Sequence, residues 1–130
     1  MRKTIFMMLL AVVSSSAVAE WVNVGESRAQ TATIYVDPAT IHKDGNKVEM
    51  WILFDLKKAE VSFGSPYMSR KRQAEFDCMM GQVRSLSVSF HSDNMGEGNV
   101  VNNESDSGDW LPALPGSVVE KVWRIACGKP

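Results

Sequence analysis

The sequence is poor in the residue types that usually build active sites and metal centres. Its two histidines, His42 and His91, are neither an i,i+4 pair nor neighbours of a cysteine, so a zinc site with three or four ligands is not expected. The chain also lacks a nucleophile-elbow motif and a glycine-rich phosphate loop that leads into a helix. We therefore expect no catalytic residue, no metal and no cofactor, and we expect both histidines to be exposed.

A strong net charge and long apolar runs are also absent once the first residues are set aside. Without Arg2 and Lys3, the 14 basic residues fall to 12 against 15 acidic ones, a formal charge of −3. Nucleic-acid-binding domains are usually clearly basic, so this balance argues against a nucleic-acid partner. No stretch after residue 19 approaches the roughly 18–20 apolar residues of a transmembrane helix. The chain has no internal repeat and no linker, and residues 20–130 suit one domain.

Residues 1–19 have the features of a cleavable secretory signal. Arg2 and Lys3 precede an apolar stretch, and Ala17-Val18-Ala19 places small residues where a signal peptidase reads the chain. The apolar stretch is too short to cross about 30 Å of hydrocarbon. We expect cleavage between Ala19 and Glu20, which leaves no N-terminal cysteine for lipid attachment.

The two cysteines, Cys78 and Cys127, are predicted to form a structural disulfide. Exported proteins keep disulfides, and a redox-active pair would have the spacing Cys-x-x-Cys instead. In the chain-entropy model, closing a loop of about 50 residues stabilises the fold by about 4 kcal/mol. That is a large share of a typical stability of about 5–15 kcal/mol.

Period-two alternation of apolar residues predicts antiparallel strands through most of the domain. The clearest strand covers residues 47–56, and others are predicted at 21–25, 31–36, 67–79 and after Gly81. Asp37-Pro38 is predicted to end the second strand, because proline supplies no ladder donor. Pairing then resumes near Thr40-Ile41-His42.

The period changes near the C-terminus, where a short helix is predicted. Ser117 and Glu120 have the spacing of a capping box, and Gly128 is placed to end the helix. A helix of about three turns needs docking to persist, and Cys127 would tie it to the strand that carries Cys78. The side chain of Cys78 is expected to share the inward face with Phe76. The predicted fold class is α+β: an antiparallel sheet of five or six strands with one C-terminal helix attached by a disulfide.

Residues 91–113 are predicted to contain a long polar loop, which is either functional or disordered. Its acidic run at 104–109 suggests calcium, but the spacing of the oxygen ligands does not match a calcium loop, and a solvated loop is favoured. Trp110 is either folded back onto the core, which we favour, or an interface residue.

A group of cations is expected at one end of the sheet. A hairpin turning at Phe63-Gly64 would pair residues whose numbers sum to about 127, which places Lys57 near Arg70 and Lys58 near Ser69. The resulting candidate binding patch contains five residues: Lys57, Lys58, Arg70, Lys71 and Arg72. Alternation splits them between two faces, so charges that guard a sheet edge are the favoured interpretation. The alternative is a patch for acidic protein segments or sulfated polysaccharide.

In its order of residues, the chain resembles the surface-adhesin protein E-like domains of Gram-negative bacteria. No single motif is strong, but the order and the two-cysteine placement are specific. The resemblance rests on these positions: Trp21, Tyr35-Val36-Asp37, Ile41, Gly45, Val48, Trp51, Ser69, Asp77-Cys78, Arg84, Pro115-Gly116-Ser117 and Cys127.

The resemblance implies an antiparallel sheet with an attached C-terminal helix, exposure on the outer surface and a capacity to form homodimers. It also implies adhesion to host proteins such as plasminogen, vitronectin or laminin. The favoured hypothesis is therefore an exported, non-enzymatic binding module. The alternatives are a periplasmic accessory or structural protein of the cell envelope and, less favoured, a small secreted enzyme.

Overall fold

The computed structural model describes residues 20–130, so the predicted signal at 1–19 lies outside the described part of the chain. Within that part, seven strands form one antiparallel sheet and a single α-helix follows them. The strands run β1 to β6 in sequence order across the sheet, and β7 pairs with the far end of β5. The elements are β1 (Val22–Glu26), β2 (Ala32–Asp44), β3 (Lys47–Ser62), β4 (Ser65–Asp77), β5 (Gln82–His91), β6 (Val100–Glu104), β7 (Leu111–Pro112) and α1 (Val118–Cys127).

The predicted α+β class is confirmed, but part of the region predicted as a loop belongs to the sheet. β6 and β7 both lie between residues 91 and 113, and both pair with β5. β6 has little apolar periodicity because its side chains are mostly polar. Its backbone groups nevertheless find partners on the free edge of β5, which is what orders the segment.

Asp37-Pro38 interrupts the pairing of β2 without ending the strand, so the predicted strand end is wrong. Asp37 pairs with Trp51, and regular pairing resumes only at His42. The hydroxyl of Thr40 bridges the gap: it donates to the carbonyl oxygen of Asp37 at 2.6 Å and accepts from the backbone N–H of Trp51 at 3.1 Å. A side chain thus supplies the hydrogen bonds that the strand loses around its proline.

One face of the sheet, called here the helix face, carries the main core. Met50 and Phe76 are fully buried there, and they pack with Val122 and Ala126 of α1. The regularly paired parts of β2, β3 and β4 place even-numbered residues on this face, as the period-two pattern predicts: Ile34, Val36, Val48, Met50, Ile52, Ala74 and Phe76.

The other face of the sheet, the turn face, is covered by the segment after β5. A 3₁₀ turn at Asn94–Gly96 folds over β3 and β4. The fully buried hydroxyl of Ser69 donates to the carbonyl oxygen of Asp93 at 2.5 Å and accepts from the N–H of Gly96 at 2.8 Å. The Asp55 carboxylate accepts from the side chain of Asn94. Two polar side chains of the sheet therefore hold the turn in place.

The C-terminal helix forms as predicted. The Ser117 side chain accepts from the N–H of Glu120 at 3.1 Å, and Gly128 ends the helix in the left-handed conformation with a φ of 65°. The predicted disulfide is present, with 5.6 Å between the Cα atoms of Cys78 and Cys127. It fastens the last residue of α1 to the residue that follows β4.

The pairing of the β3–β4 hairpin changes along its length. Near the turn, Glu60 pairs with Tyr67, which matches the predicted sum of 127. Beyond a bulge between Asp55 and Glu60, the sum becomes 124, so Arg70 lies opposite Phe54 and not beside Lys57. The predicted Lys57–Arg70 and Lys58–Ser69 pairs are wrong, because the bulge inserts extra residues into β3.

Candidate functional site

The five cations of the predicted patch lie on different parts of the hairpin. Lys57 makes an ion pair with Glu26 at 2.8 Å, and Lys58 is exposed on the outer part of β3. Lys71 lies on the turn face, where its side chain packs against Gly96. Arg70 and Arg72 lie on the helix face, beside Phe54. The structure therefore brings two of the five together, and the alternation along β4 separates Lys71 from them.

Arg70 and Arg72 stack against the same aromatic ring. Their guanidinium carbons lie 4.6 and 4.9 Å from the centre of the Phe54 ring. The Nε atoms of both arginines are buried without a hydrogen-bond partner, and neither arginine joins an ion pair among residues 20–130. Desolvation lowers the pKa of Arg72 and the positive charge of Arg70 lowers it further, while the negative charge of Glu104 raises it. The pair thus places two positive charges side by side on the helix face, and the Glu104 carboxylate acts on one of them.

The tip of the β3–β4 hairpin exposes apolar side chains. Phe63 is 87% exposed and Val61 is 68% exposed. The two-residue turn at Phe63-Gly64 has φ values of 47° and 79°, which is the hairpin geometry that asparagine and glycine normally occupy. A bulky residue with positive φ is an outlier, and such outliers cluster at functional sites. The sequence signal was available, since an aromatic residue directly before glycine at a hairpin tip is unusual.

Trp110 folds back onto the domain but does not enter the apolar core that we favoured for it. It is half-buried, and its ring lies 4.6 Å from the guanidinium of Arg84 and 5.7 Å from the ammonium of Lys47. Arg84 is itself paired with Glu75 at 2.7 Å. Trp110 therefore docks on cationic side chains, which no hydrophobic pattern would reveal.

One of the two predicted histidine environments is wrong. His42 is exposed, but His91 is buried, because the turn at Asn94–Gly96 covers the end of β5. Its Nε2 lies 2.8 Å from the hydroxyl of Ser89, and its Nδ1 has no partner. Burial lowers the pKa of His91, and the charge of Lys71 lowers it further while that of Glu97 raises it.

The acidic residues at 104–109 do not belong to a potential metal site in the described part of the chain. Between residues 20 and 130, no group of three or more histidine, cysteine, aspartate or glutamate side chains is arranged to hold a metal ion. The same part of the chain contains no helix of the length and apolar character required to span a membrane.

Together these features define a class of protein: a small α+β domain with a disulfide-tied helix and a projecting hairpin. Comparison with protein families identifies the particular family. Residues 21–128 match the model of surface-adhesin protein E, and the chain belongs to that family. Membership indicates an exported, surface-associated protein. Among curated proteins, no sequence matches the chain significantly.

Solved structures of Haemophilus influenzae protein E share the fold. One, of its selenomethionine form, has a TM-score of 0.65 and 12% identity, and the match covers 83% of this chain and 85% of that chain. A second has a TM-score of 0.64 and 14% identity, with 83% of each chain covered. A second crystal form gives 0.61 and 16%, with 73% of this chain and 80% of that chain covered. At these identities the likeness establishes the fold.

Proposed function

We propose that this protein is a non-enzymatic surface adhesin that binds a host extracellular-matrix or plasma protein through the tip of its β3–β4 hairpin. Membership of the surface-adhesin protein E family supports the class of function. The observation that carries the choice of surface is Phe63, an aromatic side chain held in solvent by a left-handed backbone.

The hairpin tip has the composition of an interface anchor. Aromatic residues are enriched in the centres of protein–protein interfaces, where burying one contributes a large part of the affinity. Phe63 is so exposed that it buries little apolar surface within the domain, and an asparagine at its position would fit the turn better. An aromatic residue here is explained by a contact made with another molecule.

The charge beside the tip favours an acidic partner segment. Lys57 and Lys58 are both exposed on the strand that leads to Phe63, and Lys57 also pairs with Glu26 at 2.8 Å. Because rim charges mainly steer encounter, they would speed the approach of an acidic segment and make binding weaker at high salt. Plasminogen, vitronectin and laminin are the partners that we propose to test.

A single substitution at the hairpin tip distinguishes an effect on binding from an effect on folding. Phe63→Asn should keep or raise the melting temperature, because asparagine tolerates the left-handed conformation, and should reduce binding to immobilised vitronectin, laminin or plasminogen at least tenfold. Leu114→Asn is the matched control, since Leu114 is also exposed but lies far along the chain from the hairpin. Equal binding by wild type and Phe63→Asn, or no binding of any of the three at micromolar protein, would overturn the proposal.

A separate pair of variants tests whether the lysines beside the hairpin tip contribute to binding. Lys57→Glu combined with Lys58→Glu should slow association and flatten its salt dependence, whereas Lys121→Glu on the exposed side of α1 should not. Unchanged association kinetics in the double variant would remove these lysines from the interface.

We propose the outer surface as the working location, after removal of the signal predicted at 1–19. Protease added to intact cells should then degrade the protein. Survival of the protein in intact cells, with degradation after the outer membrane is opened, would favour the periplasmic accessory role instead.

A further inference from the structure

A cavity lies on the helix face, between the sheet and the segment that links β6 to α1. Its volume is about 450 Å³, which is within the range of small-ligand sites. Most of its walls are apolar: Ile52 and Phe76 form part of the floor, Leu111 and Pro112 one side, and Val118 and Val119 another. The space is therefore suited to an apolar chain.

Two cationic residues, Arg72 and Arg84, line this cavity together with one acidic residue, Asp109, and the two cations differ in their partners. Arg84 is paired with Glu75 and stacked on Trp110. Arg72 has no ion pair in the described chain, its Nε is buried without a partner, and Arg70 stacks on the same Phe54 ring beside it. Arg72 is half-buried and the Glu104 carboxylate offsets part of its charge, but its Nε still lacks a hydrogen-bond partner, and a bound anion would supply one.

The form of the ligand follows from the walls. A peptide would bring one amide group per residue into a mostly apolar space, where each unpaired amide carries a desolvation penalty. Ser85, a polar residue of the wall, already accepts the N–H of Gly108 through its carbonyl oxygen at 2.8 Å. A hydrocarbon chain brings no amide groups into the cavity. A single anionic group at one end of that chain would pair with Arg72.

From this arrangement we infer that the cavity binds a single-chain fatty acid, with its carboxylate against Arg72 and its hydrocarbon chain between the sheet and the N-terminal turn of α1. The Phe54 ring holds the Arg72 guanidinium at the cavity wall, and Arg70 adds a second positive charge. This site is separate from the hairpin tip, so it stands or falls independently of host-protein binding.

Calorimetric titration with decanoate and with decanol tests the inference. Decanoate should bind one molecule per chain, and decanol, which has the same chain without the charge, should bind at least tenfold more weakly. Arg72→Met keeps an apolar stem against Phe54 and should weaken decanoate about ten- to a hundredfold, the range expected for one hydrogen-bonded charge, while leaving decanol unchanged.

Two further variants complete the design. Val119→Asp adds a carboxylate to the wall in the first turn of α1, where the helix dipole tolerates it, and should weaken both probes. Lys121→Met removes a positive charge from the exposed side of the same helix and should change the binding of neither probe.

The inference is overturned if decanoate shows no saturable binding, if decanol binds equally well, or if Lys121→Met has the effect expected of Arg72→Met. Tighter binding of an apolar tripeptide than of decanoate would replace the fatty acid with a peptide. The comparison of decanoate with decanol on the wild-type protein decides the matter even if Arg72→Met does not fold.

Discussion

The indole Nε1 of Trp123 donates a hydrogen bond to the carbonyl oxygen of Asp77 across 3.0 Å, one residue before the cysteine that joins helix to sheet. The helix is thus held at one corner of the sheet by a hydrogen bond and by the Cys78–Cys127 disulfide. The Asp77 side chain caps the turn that follows, accepting the N–H groups of Met79 and Met80 at 3.0 and 2.9 Å. The end of β4, the turn that follows it and the helix therefore meet at two neighbouring residues, Asp77 and Cys78.

Removing the disulfide should cost a large part of the stability. Cys127→Ser, or Cys78→Ser with Cys127→Ser, is expected to lower the free energy of unfolding by about 2–5 kcal/mol, because the unfolded chain is no longer cross-linked. Urea denaturation measures the change, and reduction of the wild type should reproduce it. Thiol titration of the unfolded protein should find no free thiol before reduction and two afterwards. A variant as stable as the parent would mean that the bridge is idle.

Asp77 should make the fold sensitive to acid. The N–H of Met80 is the largest influence that lowers the Asp77 pKa, and the N–H of Met79 and the ammonium of Lys47 lower it further against the opposing effect of burial. A carboxyl with a lowered folded-state pKa stabilises the fold above its unfolded pKa, near 4, and loses that stabilisation as the pH falls through the lowered value. Unfolding free energies measured between neutral pH and pH about 2 should therefore fall less steeply for Asp77→Asn than for wild type. Asp106→Asn, on an exposed residue, is the control; the same slope in all three proteins would contradict this role.

His91 should make the fold less stable in mild acid. Its folded-state pKa is lowered by burial and by Lys71, so the native protein keeps the ring neutral while the unfolded chain takes up a proton below about pH 6.5. The unfolded state then binds more protons, and stability decreases as the pH falls from about 7.5 to 5.5. His91→Gln should flatten this part of the profile, and His42→Gln, on an exposed residue, should not. An NMR titration in which His91 protonates at the ordinary histidine pKa would refute the prediction.

Ser69 should be important for the cover on the turn face. Ser69→Ala leaves the carbonyl oxygen of Asp93 and the N–H of Gly96 without their partner, so a loss of about 1–3 kcal/mol is expected. Hydrogen exchange at residues 92–99 should accelerate more than exchange in β3. The control is Ser107→Ala, the same substitution at an exposed serine, which should leave both stability and hydrogen exchange unchanged. Unaltered exchange in Ser69→Ala would show that the turn is held by other contacts.

Local sequence signals predicted the elements whose stability is local. The alternation in residues 47–56 identified most of β3, and Ser117, Glu120 and Gly128 identified both ends of α1. These predictions succeeded because strand period and helix caps depend on residues that are close together in the chain. The predicted pairing register failed because residues in the bulge between Asp55 and Glu60 hydrogen-bond to partners distant in sequence: Lys57 donates to Thr31, and Leu56 accepts from Asn94.

By itself the sequence determined an α+β domain in which a capped helix is tied by Cys127 to a strand ending beside Cys78, because two cysteines allow one pairing and the period of apolar residues changes once. Only the tertiary structure decided that the polar region after His91 folds back as a turn and two edge strands. Those residues have little hydrophobic pattern, and they are ordered by hydrogen bonds to Ser69, Asp55 and the edge of β5. The same folding back buries His91 and places Arg72 in the wall of a mostly apolar cavity, since a side chain's environment depends on what is packed over it as much as on its own strand.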